Sequence, residues 1–140
     1  MDLQSIAQDN LLFKCIAGSY AYGTAIEGVS DVDYRGVFIA PIELIISCFL
    51  KTEQVSDSTQ DVQIFELRKF LGLAVENNPN IIELLYMPED KITFCHPYFK
   101  KIIQNQHLFL SKKAMHTFSG YAFAQLKRIK GRNKWINNPK

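Results

Sequence analysis

Hydrophobic residues occur along this chain of 140 residues both in short runs and at helical spacing. The apolar runs from Leu11 to Ala17 and from Val37 to Ala40 have the length and composition of buried strands. The segment 61–65 alternates polar and apolar residues, which predicts a half-buried strand. The polar stretch 51–60 before it predicts a loop or an irregular hairpin. Together these patterns predict a small sheet in the first half of the chain.

Apolar residues at three- and four-residue intervals predict helices after this sheet. The segment from Glu66 to Glu76 shows this spacing. The Asn-Pro pair at 78–79 supplies a cap and a first helical residue for the next helix. The His-Pro pair at 96–97 marks another helix start, and a long helix is predicted from Ser111. The expected fold is therefore α+β, a small mixed sheet backed by helices with a helical C-terminal portion.

Composition places the chain among soluble globular domains. Hydrophobic residues make up 47% and charged residues 21% of a chain whose length suits one domain. The longest mostly apolar run, 37–50, contains Pro41 and Glu43 and falls short of the roughly 20 residues that cross a bilayer. No secretory signal is recognisable at the N-terminus, so we expect no membrane partner and a cytoplasmic location. Three widely spaced cysteines indicate reduced thiols rather than disulfides or a zinc site.

The net charge of +2 conceals an asymmetry between the two ends of the chain. Residues 111–140 contain eight of the sixteen basic residues and none of the fourteen acidic ones, so residues 1–110 carry a net charge of −6. A basic helix of this kind suits a polyanion such as RNA. A solvated helix face explains the same charges equally well.

The residues with the clearest chemistry lie between the first two predicted strands. Side chains alternate along a strand, so Asp31 and Asp33 are expected on the same side. Adjacent carboxylates resist joint ionisation unless a cation lies between them, and a divalent cation with oxygen ligands meets this need. Gly18 lets the backbone approach a ligand closely, and the hydroxyl of Ser19 can join backbone N–H groups around phosphate oxygens. A metal ion beside a phosphate-binding loop is typical of sites that catalyse phosphoryl or nucleotidyl transfer.

With an apolar strand, Gly18-Ser19 and Asp31-Val32-Asp33 in this order, the sequence resembles the DNA polymerase β-like nucleotidyltransferase superfamily. The segments 18–24, 30–36 and 78–80 look like the group of predicted nucleotidyltransferases that includes RNA-repair-pathway members. The resemblance implies a polymerase β-like sheet. It also implies transfer of a nucleoside monophosphate from a nucleoside triphosphate to an acceptor hydroxyl, with Mg²⁺ or Mn²⁺ as cofactor and pyrophosphate as product.

The resemblance assigns the metal to Asp31 and Asp33, and the β- and γ-phosphates to Gly18 and Ser19. Members of the superfamily place a third carboxylate on a neighbouring strand, where it binds metal and acts as general base. Asp61 is the candidate because it begins the alternating segment on its polar face. Glu66, Asp57 and the absence of any such residue remain alternatives.

Three further residues are candidates for contact with the nucleotide. Thr24 offers a hydroxyl near the phosphates. Arg35 follows Asp33 by two residues, so it shares the face of the carboxylates and can contact a phosphate or pair with a carboxylate. Lys69 lies on the polar side of the predicted helix 66–76 and could reach a triphosphate.

The acceptor and the catalytic status remain open at this level. A nucleic-acid end is favoured by the basic C-terminal helix, and a protein side chain is the competing acceptor. A non-catalytic nucleotide- or RNA-binding module, or a subunit of a larger complex, is the alternative to an enzyme. We expect residues 1–110 to form the catalytic core and residues 111–140 a basic helix and tail packed on the same domain.

Overall fold

The computed structural model describes residues 2–21, 23–28, 31–48, 52–57, 59 and 61–137, with side chains described up to residue 131. The strands are β1 (Leu11–Ala17), β2 (Asp33–Phe38), β3 (Gln54–Asp57), β4 (Val62–Glu66) and β5 (Ile92–Cys95). The helices are α1 (Leu3–Asp9), α2 (Ile42–Ile46), α3 (Leu67–Val75), α4 (Pro79–Leu85), α5 (Pro97–Gln104) and α6 (Lys113–Asn137). The prediction of an α+β fold with a polymerase β-like mixed sheet is confirmed.

The sheet has five strands in the order β3-β4-β2-β1-β5. Only the pairing of β2 with β4 is parallel, and the other three pairings are antiparallel. The antiparallel register of β1 and β2 sets Ala17 opposite Asp33. The residues that follow β1 therefore meet the residues that precede β2 at one end of the sheet, and the Gly-Ser turn reaches the aspartate motif.

The two faces of the sheet carry separate apolar clusters, as strand alternation requires. On one face, Phe13, Val37 and Phe65 pack with helices α3, α4 and α5. On the other face, Phe38 and Ile64 pack with α1 and α2. The larger cluster contains Leu12, Phe13, Cys15, Val37, Phe65, Phe70, Ala74, Ile81, Ile82, Leu84, Leu85 and Phe99. Helices thus cover both sides of the central strands.

Side-chain caps begin four of the helices and explain where they start. The side chains of Asp2, Glu66, Asn78 and His96 each accept a hydrogen bond from the backbone N–H two residues later. These bonds satisfy donors that the first helical turn leaves unpaired. The predicted helix starts at the Asn-Pro and His-Pro pairs are confirmed.

The two edge strands differ from the sequence-based expectation. β3 lies within the segment predicted as a loop or irregular hairpin, and the sequence pattern predicts no strand at β5. Both have four residues and lack a buried position. Backbone pairing with β4 and β1 stabilises these two strands, rather than burial of their own side chains. Their sequences therefore lack the apolar pattern that predicts a strand.

The longest helix, α6, has 25 residues and packs on the body mainly through α4. Much of its apolar surface lies outside the core, since Met115 and Phe123 are each 73% exposed. Among the residues described here, no helix is both long enough and apolar enough to cross a membrane.

Phe99 is the best residue with which to test the larger core. It is fully buried, and its ring stacks on Phe13 at 4.7 Å and contacts Phe70 at 5.7 Å between centroids. We expect Phe99→Ala to lower the free energy of unfolding by about 3–5 kcal/mol, since it opens a cavity. Tyr98→Ala, at a neighbouring position that is 70% exposed, should change it by no more than about 0.5 kcal/mol. Urea unfolding of both variants measures the difference, and equal losses would contradict this assignment of the core.

Candidate active site

A cavity of about 720 Å³ lies between the sheet and the helices on the face that carries the larger core. The sheet side is lined by Ala17, Gly18, Asp33, Arg35 and Gln63. The helical side includes Asn78, Asn80, Glu83 and Tyr121. The cavity therefore brings together the end of β1, the start of β2, the middle of β4 and the helices α4 and α6.

Strand alternation explains why polar side chains line the sheet side of this cavity beside an apolar core. Phe13, Cys15 and Ala17 share one face of β1, and Asp33, Arg35 and Val37 share the same face of β2. Phe13 and Val37 lie at the core end, and Ala17, Asp33 and Arg35 line the cavity at the opposite end. A single face of the sheet thus changes from core to chemical site along its strands.

Gly18 and Asp33 lie in close contact at the wall of the cavity. Gly18 has a φ of +68°, a left-handed conformation, and a Cβ at this position would overlap the Asp33 carboxylate oxygen Oδ2. Both the backbone conformation and the contact require glycine. The missing side chain therefore allows a carboxylate to lie directly against the turn after β1.

Hydrogen bonds hold the turn that begins at Gly18. Residues Gly18–Tyr20 form a single 3₁₀ turn, in which the N–H of Ala21 donates to the carbonyl of Gly18 at 3.1 Å. The carbonyl of Ser19 accepts from the backbone N–H of Thr24 at 2.9 Å and from its Oγ1 at 3.3 Å. Thr24 is exposed and does not line the cavity, so the contacts it makes here brace the loop behind Ser19. Tyr22 and Ser30 of the motif segments lie outside the described residues.

Arg35 brings a fixed positive charge to the cavity wall. Its Nη1 donates to the carbonyl of Tyr34 at 3.0 Å and to that of Asp61 at 3.3 Å. The same carbonyl of Asp61 accepts from the N–H of Tyr34 at 2.9 Å. These bonds hold the guanidinium beside Asp33 in a position to neutralise a bound anion.

Cys15 lies opposite Arg35 in the sheet and is fully buried. Burial raises the pKa of its thiol to about 12, and the charge and backbone N–H of Arg35 only partly oppose this rise. The thiol is therefore protonated at neutral pH and is a packing group rather than a nucleophile.

The three carboxylates assigned to metal by the resemblance are not gathered into one cluster. Asp31 is exposed and precedes β2 by two residues, and Asp33 is half-buried at the start of β2. Asp61 is exposed, has a φ of +46° and stands immediately before β4. Within the described ranges, no three His, Cys, Asp or Glu side chains are placed to hold a metal ion together.

The position of Asp61 explains why the three carboxylates do not form one cluster. The sequence pattern predicts Asp61 as the first residue of a strand, but β4 begins at Val62. The left-handed backbone of Asp61 turns its side chain out of the strand's alternation. Gln63, the next residue on the predicted polar face, lines the cavity instead. The parallel register nevertheless pairs Tyr34 with Val62, which keeps the backbone of Asp61 beside the start of β2.

Lys69 is not brought to the cavity. Its Nζ forms an ion pair with Glu53 at 3.1 Å and borders a second cavity at the other end of β4. The reason is the direction of β4, which runs away from Asp33 before α3 begins. The nucleotide contact predicted for Lys69 has no support from this position.

The helical side of the cavity contains residues that the sequence pattern did not assign to the site. Asn80 and Glu83 of α4 line the cavity. The sequence feature that could have identified them is the regular helical spacing of polar residues in this segment. Tyr121 of α6 is also a lining residue. Asn77 is fully buried between α3 and α4. Nothing in the local sequence distinguishes it from its neighbouring asparagines.

The donor set suits a magnesium ion that arrives with a triphosphate. Mg²⁺ is usually held by one or two carboxylates together with substrate phosphates, rather than by a cage made of protein ligands alone. Asp33 against the Gly18 turn and Asp31 two residues earlier supply such carboxylates. The fit therefore does not depend on three protein ligands.

One family model matches almost the whole chain, residues 1–137, and it describes the RNA repair pathway DNA polymerase beta family. No curated protein and no solved structure matches the chain. The matched region contains every described residue that lines the cavity, including Gly18 and Asp33. The chain belongs to the RNA repair pathway DNA polymerase beta family.

Proposed function

We propose that the protein is a metal-dependent nucleotidyltransferase that transfers a nucleoside monophosphate from a nucleoside triphosphate to an acceptor hydroxyl. Family membership supports the general activity. The observation that carries the proposal is the contact between Gly18 and Asp33 at the wall of a cavity large enough for a nucleotide. This contact unites the phosphate-binding turn and the metal-binding carboxylate in one site.

In this proposal the triphosphate binds at the turn after β1. Backbone N–H groups of Gly18–Tyr20 and the hydroxyl of Ser19 hold the β- and γ-phosphate oxygens. Arg35 offsets the negative charge from the neighbouring strand. Asp31 and Asp33 would hold Mg²⁺ or Mn²⁺, and the cation would supply charge neutralisation.

The acceptor hydroxyl forms a bond to the α-phosphorus, and the bond from that phosphorus to the oxygen bridging to the β-phosphate breaks. Pyrophosphate leaves with the electron pair of that bond. The hydroxyl proton passes to a carboxylate, for which Asp61 is the candidate because its backbone adjoins β2 through Tyr34 and Arg35. A rotation of the exposed Asp61 side chain toward the cavity is required for this role.

The basic residues of α6 favour an RNA end as the acceptor. The described part of this helix carries Lys113, Lys127, Arg128 and Lys130, all on exposed positions, and residues 111–140 contain no acidic residue. A cationic surface beside the cavity wall formed by Tyr121 would hold a phosphate backbone near the transferred group. A protein side chain as acceptor gains no comparable support.

A second function, binding of nucleotide or RNA without transfer, is favoured by one observation. Asp61, the candidate proton acceptor, is exposed and is not among the residues that line the cavity. If Asp61 does not act as base, the site retains phosphate and metal binding but lacks a proton acceptor.

The first prediction concerns the metal-binding carboxylates. Asp33→Asn and Asp31→Asn should each lower transfer of label from an α-³²P nucleoside triphosphate to RNA by at least about 100-fold, because an amide cannot replace an anionic ligand. The measurement is label in acid-insoluble RNA with Mg²⁺ or Mn²⁺. Asp9→Asn, an exposed aspartate at the end of α1, serves as the matched control and should retain activity. Undiminished transfer by the Asp33 variant would refute the assignment, and label in protein instead of RNA would identify the other acceptor class.

The second prediction uses two glycines that share a left-handed backbone. Gly18 has a φ of +68° and faces Asp33, whereas Gly23 has a φ of +67° and no atom within 4 Å of the point that a Cβ would occupy. Alanine at either position costs about 1–2 kcal/mol of backbone strain. Only Gly18→Ala also displaces the carboxylate, so its kcat/KM should fall about 100-fold below that of Gly23→Ala. Equal activities in the two variants would mean that the close contact between Gly18 and Asp33 is not needed for the reaction.

The third prediction separates the two functions at Asp61. Asn tolerates a left-handed backbone, so Asp61→Asn keeps the carbonyl contacts with Tyr34 and Arg35 while removing the base. We expect kcat to fall by about 100- to 10,000-fold with triphosphate binding retained. Isothermal titration with Mg²⁺ and the triphosphate, beside the transfer assay, distinguishes these effects. Full activity in this variant would exclude Asp61 as the general base.

A further inference from the structure

Asn77 lies in the turn between α3 and α4, and its side chain makes hydrogen bonds beyond those that this turn needs. It is fully buried and has a φ of +54°. Its Nδ2 donates to the carbonyl of Val75 at 3.0 Å and to Oγ of Ser111 at 3.2 Å, and its Oδ1 accepts from the N–H of Ser111 at 3.1 Å. Two of its three bonds therefore reach a residue 34 positions later in the chain.

Ser111 stands where α6 begins. Its Oγ accepts from the N–H of Lys113 at 3.3 Å, and its carbonyl accepts from the N–H of Ala114 at 3.0 Å. Lys113 in turn forms an ion pair with Glu76, the residue before Asn77. The first turn of α6 is thus attached by side chain and backbone to the turn between α3 and α4.

The same turn leads directly into the cavity wall, since Asn78 and Asn80 are lining residues. At the other side of the attachment, Tyr121 lies eight residues after the start of α6, about 12 Å along its axis. Tyr121 also lines the cavity and is 43% exposed. Asn77 therefore links two separate parts of one wall.

In the part of α6 whose side chains the structure describes, up to residue 131, little apolar surface is buried. Its contacts with the body are mainly with α4, and Met115, Phe123 and Leu126 are more than half exposed. A helix with so little buried surface depends on the bonds at its first turn for its orientation. The position of Tyr121 over the cavity follows from that orientation.

We infer that Tyr121 is the base-contacting wall of the nucleotide site and that Asn77 is the positioning residue that holds it there. The inference rests on the proposed function. The sheet side of the cavity, with Gly18, Asp33 and Arg35, carries the groups that bind phosphate and metal. Two tyrosines, Tyr86 after α4 and Tyr121 on α6, line the helical side, where an aromatic face can stack on a nucleobase. Tyr121 is the one whose position depends on the attachment of α6.

The test compares two probes that share the phosphates but not the base. One is the triphosphate of 2-aminopurine riboside, whose fluorescence reports stacking, and the other is inorganic tripolyphosphate, both with Mg²⁺. Tyr121→Ala should weaken binding of the nucleotide about 5- to 150-fold and leave tripolyphosphate binding unchanged, while Tyr121→Phe should bind both as the wild type does. Equal losses for both probes would overturn the role of Tyr121.

Asn77→Gly tests the positioning role, because glycine accepts the left-handed backbone and removes only the side-chain bonds. This variant should speed amide hydrogen exchange in α6 of the ligand-free protein. It should also weaken binding of the nucleotide but not binding of tripolyphosphate. Ser111→Ala removes the bonds that Ser111 Oγ accepts from Asn77 Nδ2 and from the N–H of Lys113, but keeps the bond from the Ser111 N–H to Asn77 Oδ1. It should act in the same direction with a smaller effect, and it serves if Asn77→Gly does not fold. Glu76→Gln removes only the exposed ion pair with Lys113 and should leave both measurements unchanged.

The outcomes separate this inference from the proposed function. Faster exchange in α6 with unchanged nucleotide binding would show that Asn77 only stabilises the fold and would overturn its positioning role. Unchanged exchange in both variants would show that the bonds to Ser111 do not hold α6. Failure of the wild-type protein to bind either probe would overturn the proposed function and this inference with it.

Discussion

The antiparallel pairing of β1 with β2 is the constraint on which the candidate site depends. Its register sets Ala17 opposite Asp33, and the next residue, Gly18, lies against the Asp33 carboxylate. A shift of one residue in this register would move Asp33 to the opposite face of the sheet. The core below, with Phe13 and Val37, holds these strands rigidly. Rigid strands hold charged groups in place before a ligand binds, which lowers the cost of reorganisation during a reaction.

The helical side of the cavity depends on a different interaction. Asn77 satisfies its buried amide through Ser111, and this bond attaches α6 to the turn that leads into α4. A buried amide without partners would cost about 1–3 kcal/mol, so the attachment stabilises the fold as well as the cavity wall. The cavity thus has a strand-based side with Asp33 and Arg35 and a helix-based side that includes Tyr121.

Local sequence was sufficient to predict β1, the helix starts at Asn78 and His96, and the α+β fold, since these depend on apolar runs and on caps that act within a few residues. It also identified Gly18 and Asp33 as partners. It did not predict β5, the exclusion of Lys69 from the cavity, or the displacement of Asp61 from its strand. Each of these depends on strand pairing and chain direction, which local spacing does not encode.

The sequence by itself determined which residue types could bind phosphate and metal, because Gly18, Ser19 and the two aspartates carry that chemistry in any fold that brings them together. Only the tertiary structure decided that Asp33 contacts Gly18, that Asp61 stands outside the strand, and that Tyr121 completes the wall. The reason is physical. Residue chemistry is local, whereas contact between residues distant in the chain follows from the packing of the whole domain.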